Sequence, residues 1–375
     1  MLIVFAIIII TSYLVLVGCF VIGFNKTPSY TCKELVAKNT FSVIIPFRNE
    51  AKDLPFLLES IKALKYSKSH FEILFVDDAS KDNSVKLIQD YLKNSDVDFT
   101  ILNNKRTSNS PKKDAITTAI SVAKYSWIIT TDADCILPNS WLNCFNSFIA
   151  KKEPKVIVAP VTLHKTNTFF KCYQLLDVLS LQGTTIGGFG LKQPFMANGA
   201  NLAYQKTVFL KVNGFSSNNN IASGDDIFLL ENALKYFPKN VLYLKNNKAI
   251  VTTKTETTLK AYFQQRLRWA SKATHYSSNF AKTTGIIVLL ANGVLVGFSV
   301  MGLTGNFNFK LLLCFFLIKG LIDYLLIAKT ARFFKQSFSF TTYIISVFLY
   351  PFMSVFVAIA SIFSSYKWKG RTFKK

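Results

Sequence analysis

The chain predicts an α/β fold, a mostly parallel, doubly wound sheet, flanked at both ends by transmembrane helices. Three observations carry that expectation. Short apolar runs alternate with amphipathic helical periods between residues 41 and 131, long apolar stretches stand at the two ends, and polar clusters follow the apolar runs. Strands that alternate with helices in this way form parallel sheets covered on both faces.

Residues 2–23 (LIVFAIIIITSYLVLVGCFVIG) carry no charge, and about 20 apolar residues suffice to cross a bilayer core. No basic residue precedes Leu2 and the run is longer than a signal-peptide core, so residues 1–24 read as a membrane anchor. Residues 41–47 (FSVIIPF) read as a buried strand and 51–64 as an amphipathic helix. A strand at 71–76, a helix at 83–94, a strand at 98–102 and a helix at 112–124 follow, and the apolar run 125–131 leads into Asp132-Ala133-Asp134. The glycines of 183–190 (GTTIGGFG) match no dinucleotide fingerprint and read as a flexible loop near an acceptor. Residues 258–275 read as an amphipathic helix on the membrane surface, within a polar domain spanning 25–280.

Apolar stretches at 283–303, 310–328 and 339–363 give residues 281–375 two to three transmembrane segments and a basic tail. Lys319 and Asp323 lie one helical turn apart and read as a structural ion pair, and Pro351 suggests a kink or a re-entrant segment. Lys329, Arg332 and Lys335, and again Lys367, Lys369, Arg371, Lys374 and Lys375, both ask for the cytoplasmic side. One crossing separates the two clusters, so either the last stretch does not fully span or one cluster breaks the rule.

Half of the 375 residues are hydrophobic and the net charge is +23. That charge suits anionic lipid and a polyphosphate substrate, and no recognition motif accompanies it to indicate nucleic acid. Six cysteines and three histidines show no paired spacing, so neither a zinc site nor a disulfide framework is indicated. Ser-His-Asp order, a nucleophile elbow and a P-loop are all missing from the sequence.

The chemistry sits at the strand ends. Pro46-Phe47-Arg48-Asn49-Glu50, Asp77-Asp78-Ala79-Ser80 and Asp132-Ala133-Asp134 each follow a strand on one edge of the sheet, where doubly wound sheets bind ligands. Carboxylates as close as Asp132 and Asp134 repel unless a cation holds them, and a divalent ion shared with a phosphate is the usual resolution. Helix capping before Trp141 is the alternative.

These residues resemble the inverting family 2 glycosyltransferases with a GT-A fold, in their membrane-anchored form, from Phe41 to about Ala273. The resemblance implies a donor-nucleotide site at Pro46, Arg48, Glu50, Asp78, Lys112 and Asp132. Asp132 and Asp134 stand at the family's DxD site for Mg²⁺ or Mn²⁺, and Pro111-Lys112-Lys113 at its Gly-Lys stretch, with either lysine able to face the nucleotide. Ala79 stands where the family has glycine. Asn198, Gly199, Asp225, Gln265 and Trp269 are implied at the sugar and acceptor. Asp226 is implied as the general base, with Asp225 its rival, and Arg268 of the QxxRW pattern as a phosphate ligand. The expected partners are a nucleotide-diphosphate sugar, a lipid or glycan acceptor and the bilayer. The expected location is a multi-pass protein of the cell (inner) membrane with a cytoplasmic catalytic domain. A processive β-linked polysaccharide synthase and an inactive nucleotide-binding protein are the alternatives.

Overall fold

A computed structural model describes residues 1–165 and 167–373. Lys374 and Lys375 of the basic tail lie outside the described residues, as does Thr166. The chain forms two compact units, one of Pro28–His164 and Met196–Lys254, the other of Met1–Thr27, Lys165–Phe195 and Thr255–Lys375. Residues 165–195 and 255–280, inside the single polar domain expected from sequence, therefore group with the membrane helices.

In chain order the elements begin with α1 (Leu2–Lys26), β1 (Phe41–Phe47), α2 (Leu54–Lys62), β2 (Phe71–Asp77), α3 (Ser84–Leu92), β3 (Phe99–Asn103), α4 (Pro111–Val122) and β4 (Trp127–Thr130). Next come α5 (Trp141–Lys152), β5 (Val156–Val158), β6 (Val161–Leu163), α6 (Phe169–Gly190), β7 (Leu202–Gln205), α7 (Lys206–Lys211), α8 (Asp225–Tyr236), β8 (Val241–Tyr243) and β9 (Val251–Thr253). The rest are α9 (Leu259–Ser271), α10 (Asn279–Leu303), α11 (Phe309–Phe334), α12 (Phe340–Phe363), β10 (Tyr366–Trp368) and β11 (Arg371–Phe373).

In the first unit seven strands run in the order β3-β2-β1-β4-β7-β5-β8. β1 is parallel to β2 and β4, β2 to β3 and β5 to β8, while β7 is antiparallel to both its neighbours. β1 and β2 are buried along almost their whole length, which is why they read as continuous apolar runs rather than alternating ones. The chain moves outward from β1 to β3 and returns beside β1 as β4, so the ends of β1 and β4 flank the point where strand order reverses.

The cysteine reading needs correction, because Cys32 and Cys144 form a disulfide. No local spacing could signal it. The pairing requires the segment after α1 to lie along α5, where the Tyr30 hydroxyl donates to Ser147 O at 2.7 Å and Asn39 Nδ2 to Asn146 Oδ1 at 2.8 Å.

In the second unit α1, α10, α11 and α12 are each long and apolar enough to cross a membrane. Residues 183–190 are not the expected loop but the last turns of α6. Their glycines let two backbones meet, as small residues do between membrane helices. A Cβ on Gly187 would lie 2.6 Å from Phe20 O, and one on Gly190 would collide with Gly23 O.

Lys319 donates to Asp323 at 2.7 Å and the Tyr13 hydroxyl to the other carboxylate oxygen at 2.6 Å. Phe298 stacks on Phe307 with centroids 4.0 Å apart and tilts against Phe315, joining α10 to α11. The C-terminal end of α11 meets that of α1 where Lys329 Nζ donates to Asn25 Oδ1 at 2.7 Å. α12 continues as helix through Pro351. Near its end Phe356 stacks on Phe263 of α9 at 4.9 Å, and Lys367 N in β10 donates to Gln264 Oε1 at 2.6 Å. The chain leaving α12 thus comes back to the helix that precedes α10.

Candidate functional site

At the end of β1 the Arg48 guanidinium donates to the carbonyls of Asp78 and Ala79, tying the β1 and β2 loops together. Asn49 and Ala79 both adopt positive φ, 52° and 59°. Ala79 holds a left-handed backbone that glycine, the residue the family has there, would take without a Cβ clash. Pro46 lies in β1 opposite Val76. Glu50 is buried, with its backbone N–H donating to Ser84 Oγ and its carbonyl closing the turn into α2. Asp78, expected at the base or ribose, is also buried. Its Oδ1 accepts from Asn104 Nδ2 at 2.9 Å and Arg106 Nε at 2.7 Å, two partners that no sequence pattern flagged.

The centre of the unit lies at the first turn of α4. Lys112 Nζ sits 2.7 Å from Asp132 Oδ1 and 3.3 Å from Asp225 Oδ2. Burial alone would lower its pKa, but Asp132, Asp225 and Asp226 together hold it above the ordinary lysine value, so it stays an ammonium. Pro111, where the family has glycine, opens α4 behind Ser110, a position where a missing N–H costs nothing. Lys113 points elsewhere: its side chain is buried against Asn218 and Ile221. Of the two adjacent lysines, Lys112 is the one that meets the carboxylates.

Gly199 comes against the same group. A Cβ there would meet Asp225 Oδ2 at 2.7 Å and Lys112 Nζ at 3.2 Å, and its N–H donates to Asp226 Oδ2 at 3.3 Å. Asn198 caps this turn through its side chain, and Asn201 anchors it by bonding Pro160 O and Ala249 O and accepting from the Trp141 indole. Three acids, one ammonium and one glycine thus converge from the ends of β4, α4 and α8 and the turn before β7.

Asp132 and Asp134 do not cap the helix at Trp141; Ser140 takes the N-cap position, and it makes no side-chain cap bond. Asp134 lies near His164 and Lys254. Burial lowers the His164 pKa against the pull of Asp134, so this histidine favours its neutral form. Among the described residues no three His, Cys, Asp or Glu side chains gather into a metal site. The donor set still fits a hard cation that takes one or two carboxylates and completes its shell with phosphate and water. The Asp132 side chain is 37% exposed and already holds one cation, the Lys112 ammonium.

Gln265, Arg268 and Trp269 belong to the unit of membrane helices. Gln265 Nε2 donates to Glu256 Oε1 at 3.0 Å, the Arg266 guanidinium lies 4.1 Å over the Trp269 ring, and that of Arg268 lies 5.2 Å over Trp368. The buried Arg268 Nε makes no hydrogen bond among the described residues.

Residues 42–212 match the model of glycosyl transferase family 2. The chain carries a family 2 glycosyltransferase domain. Two relatives are similar to parts of the chain. One is the undecaprenyl-phosphate 4-deoxy-4-formamido-L-arabinose transferase of Proteus mirabilis, 37% identical over 26% of this chain and 29% of that protein. The other is the poly-beta-1,6-N-acetyl-D-glucosamine synthase of Staphylococcus epidermidis, 22% identical over 61% of this chain and 53% of that protein. The chain therefore spans less than two thirds of either relative. A mannosyltransferase from Pyrobaculum calidifontis, solved with GDP-Man and Mn²⁺, shares the fold with a TM-score of 0.63 at 15% identity, over 97% of this chain and 99% of that one. The fold is GT-A.

Proposed function

We propose that the protein is a membrane-bound inverting glycosyltransferase that moves a sugar from a nucleotide-diphosphate sugar to a lipid or lipid-linked acceptor. The observation that carries this reading is the convergence of Lys112, Asp132, Gly199, Asp225 and Asp226 beside the switch point between β1 and β4. Asp226 accepts the proton of the acceptor hydroxyl, whose oxygen attacks the anomeric carbon from the face opposite the diphosphate. The new C–O bond forms as the bond to the phosphate oxygen breaks, and the nucleoside diphosphate leaves with the electron pair. Lys112 turns from Asp132 to the developing phosphate charge. Gly199, by lacking a Cβ, lets Asp225 and Lys112 come close on the sugar side, with Asn198 holding its turn, while Asp78, Arg48, Pro46 and Glu50 shape the nucleotide side.

A divalent cation, Mg²⁺ or Mn²⁺, would be held by Asp132 and Asp134; when bound it supplies Lewis-acid stabilisation to the leaving diphosphate. The roles of Gln265, Arg268 and Trp269 at phosphate and acceptor rest on the resemblance alone. A lipid acceptor is favoured over a processive polymer by the few membrane helices available to shape a channel and by the undecaprenyl-phosphate named for one relative.

The catalytic unit is proposed to face the cytoplasm of the cell (inner) membrane, since Lys26 ends α1 and Lys33 and Lys38 follow it. Return of the chain from α12 to α9 supports a last helix that does not carry the chain across, which lets both basic clusters stay on one side. Purified full-length protein given GDP- and UDP-sugars, polyprenyl phosphate and Mn²⁺ should form a lipid-linked monosaccharide and lose activity with EDTA. A long polymer as sole product would overturn the acceptor; no turnover of any nucleotide sugar would overturn the function.

A further inference from the structure

Lys113 is the most deeply buried lysine beside the carboxylate cluster, at 2% exposed. An ammonium has three N–H donors, and the structure supplies an acceptor for each: Asn218 O at 2.7 Å, Asn218 Oδ1 at 2.9 Å and Ile221 O at 2.9 Å. The same nitrogen lies 4.8 Å over the Phe228 ring and 5.8 Å over that of Phe215. Those groups bracket Asp225 and Asp226. Phe215 to Ile221 leads into them and Phe228 sits in the first turn of α8 behind them.

The bracketed segment is otherwise held by local polar bonds, such as Ile221 N to Asn218 O at 3.2 Å and Asn232 Nδ2 to Ser217 Oγ at 3.4 Å. Ser216 to Asn220 is polar throughout and contributes no apolar side chain to a core. Gly224 at φ 90° then reverses the chain into α8, a backbone that only glycine adopts cheaply. Adjacent residues of one helical turn therefore act on the two ends of one loop. Lys113 holds residues 218–221, while Lys112 reaches Asp225 itself.

We propose that Lys113 is the positioning residue of this site: it pins the 216–224 segment so that Asp225 and Asp226 enter α8 at a fixed place against Gly199 and Lys112. The proposal rests on the glycosyltransferase reading for its kinetic consequence. It does not rest on it for the anchoring. Lys113 acts through Asp226 and touches neither donor nor acceptor.

The test uses full-length protein in detergent, with Lys113→Met, Asp226→Asn and the double variant. Lys113→Met should lower kcat at least about tenfold while donor KM shifts less than about threefold, and hydrogen exchange should rise in residues 216–224. Because both changes act on one group, the double variant should be no slower than Asp226→Asn alone, the non-additivity expected of residues working as a unit. Unchanged kcat in Lys113→Met, or a double variant showing the product of the two single losses, would overturn the proposal. Should Lys113→Met not fold, Asn218→Ala removes one acceptor and must reduce kcat in the same direction, and an unaltered kcat there counts equally against it. If Asp226→Asn keeps full activity, the catalytic reading fails by itself, and unchanged exchange in 216–224 upon Lys113→Met would still refute the anchoring.

Discussion

Each unit buries a lysine against aspartate, and the two clusters are built to opposite ends. In the membrane unit Lys319 faces one acid, Asp323, whose second oxygen is taken by the Tyr13 hydroxyl, and the ammonium also rests 4.7 Å over the Tyr13 ring. Charge and hydrogen bonds balance there. In the catalytic unit Lys112 faces Asp132, Asp225 and Asp226 together, and Asp132 stays 37% exposed. That cluster gathers three acids about one ammonium and leaves the side chain of one acid, Asp132, partly exposed. A closed pair is structural. Under the proposed function, the second group is the one that a cation and a diphosphate would complete.

The comparison breaks most sharply under substitution of the acids. Asp226→Asn should cut turnover about 10²- to 10⁴-fold, the range for losing a general base, with little change in melting temperature. Asp323→Asn should do the reverse, costing about 3–5 kcal/mol by leaving a buried charge uncompensated while kcat per folded molecule holds. Thermal unfolding beside a donor-turnover assay separates the two, and a turnover defect confined to Asp323→Asn would dissolve the distinction.

Gly187→Leu ranks next, because no side chain fits between α6 and α1 at Phe20. Overpacking costs about 1–3 kcal/mol, read as loss of detergent-stable protein on size exclusion. Reduction of Cys32–Cys144, which encloses 112 residues of separation, should lower the melting temperature by the equivalent of about 2–4 kcal/mol. A bond trapped by alkylation in living cells would place that unit outside the reducing cytosol and overturn its proposed side. The smallest expected effect is Ala79→Gly. Relief of a left-handed alanine should stabilise by up to about 1 kcal/mol without altering turnover, and a loss of stability would show that Ala79 packing outweighs its backbone.

The alternation of strand and helix, the placing of carboxylates at strand ends and the four apolar helices were all legible in the chain, because each depends on the spacing of residues near one another. The same holds for α9, whose amphipathic period marked it within a few residues. Sequence alone thus determined the fold class and the sheet edge that carries Asp78 and Asp132. Tertiary structure decided which of two adjacent lysines meets the acids, that Asp78 bonds Arg106, that glycines 183–190 build a helix against α1, and that Cys32 reaches Cys144. Each of those outcomes turns on backbones or side chains brought together from distant parts of the chain, where no local period or spacing records the encounter.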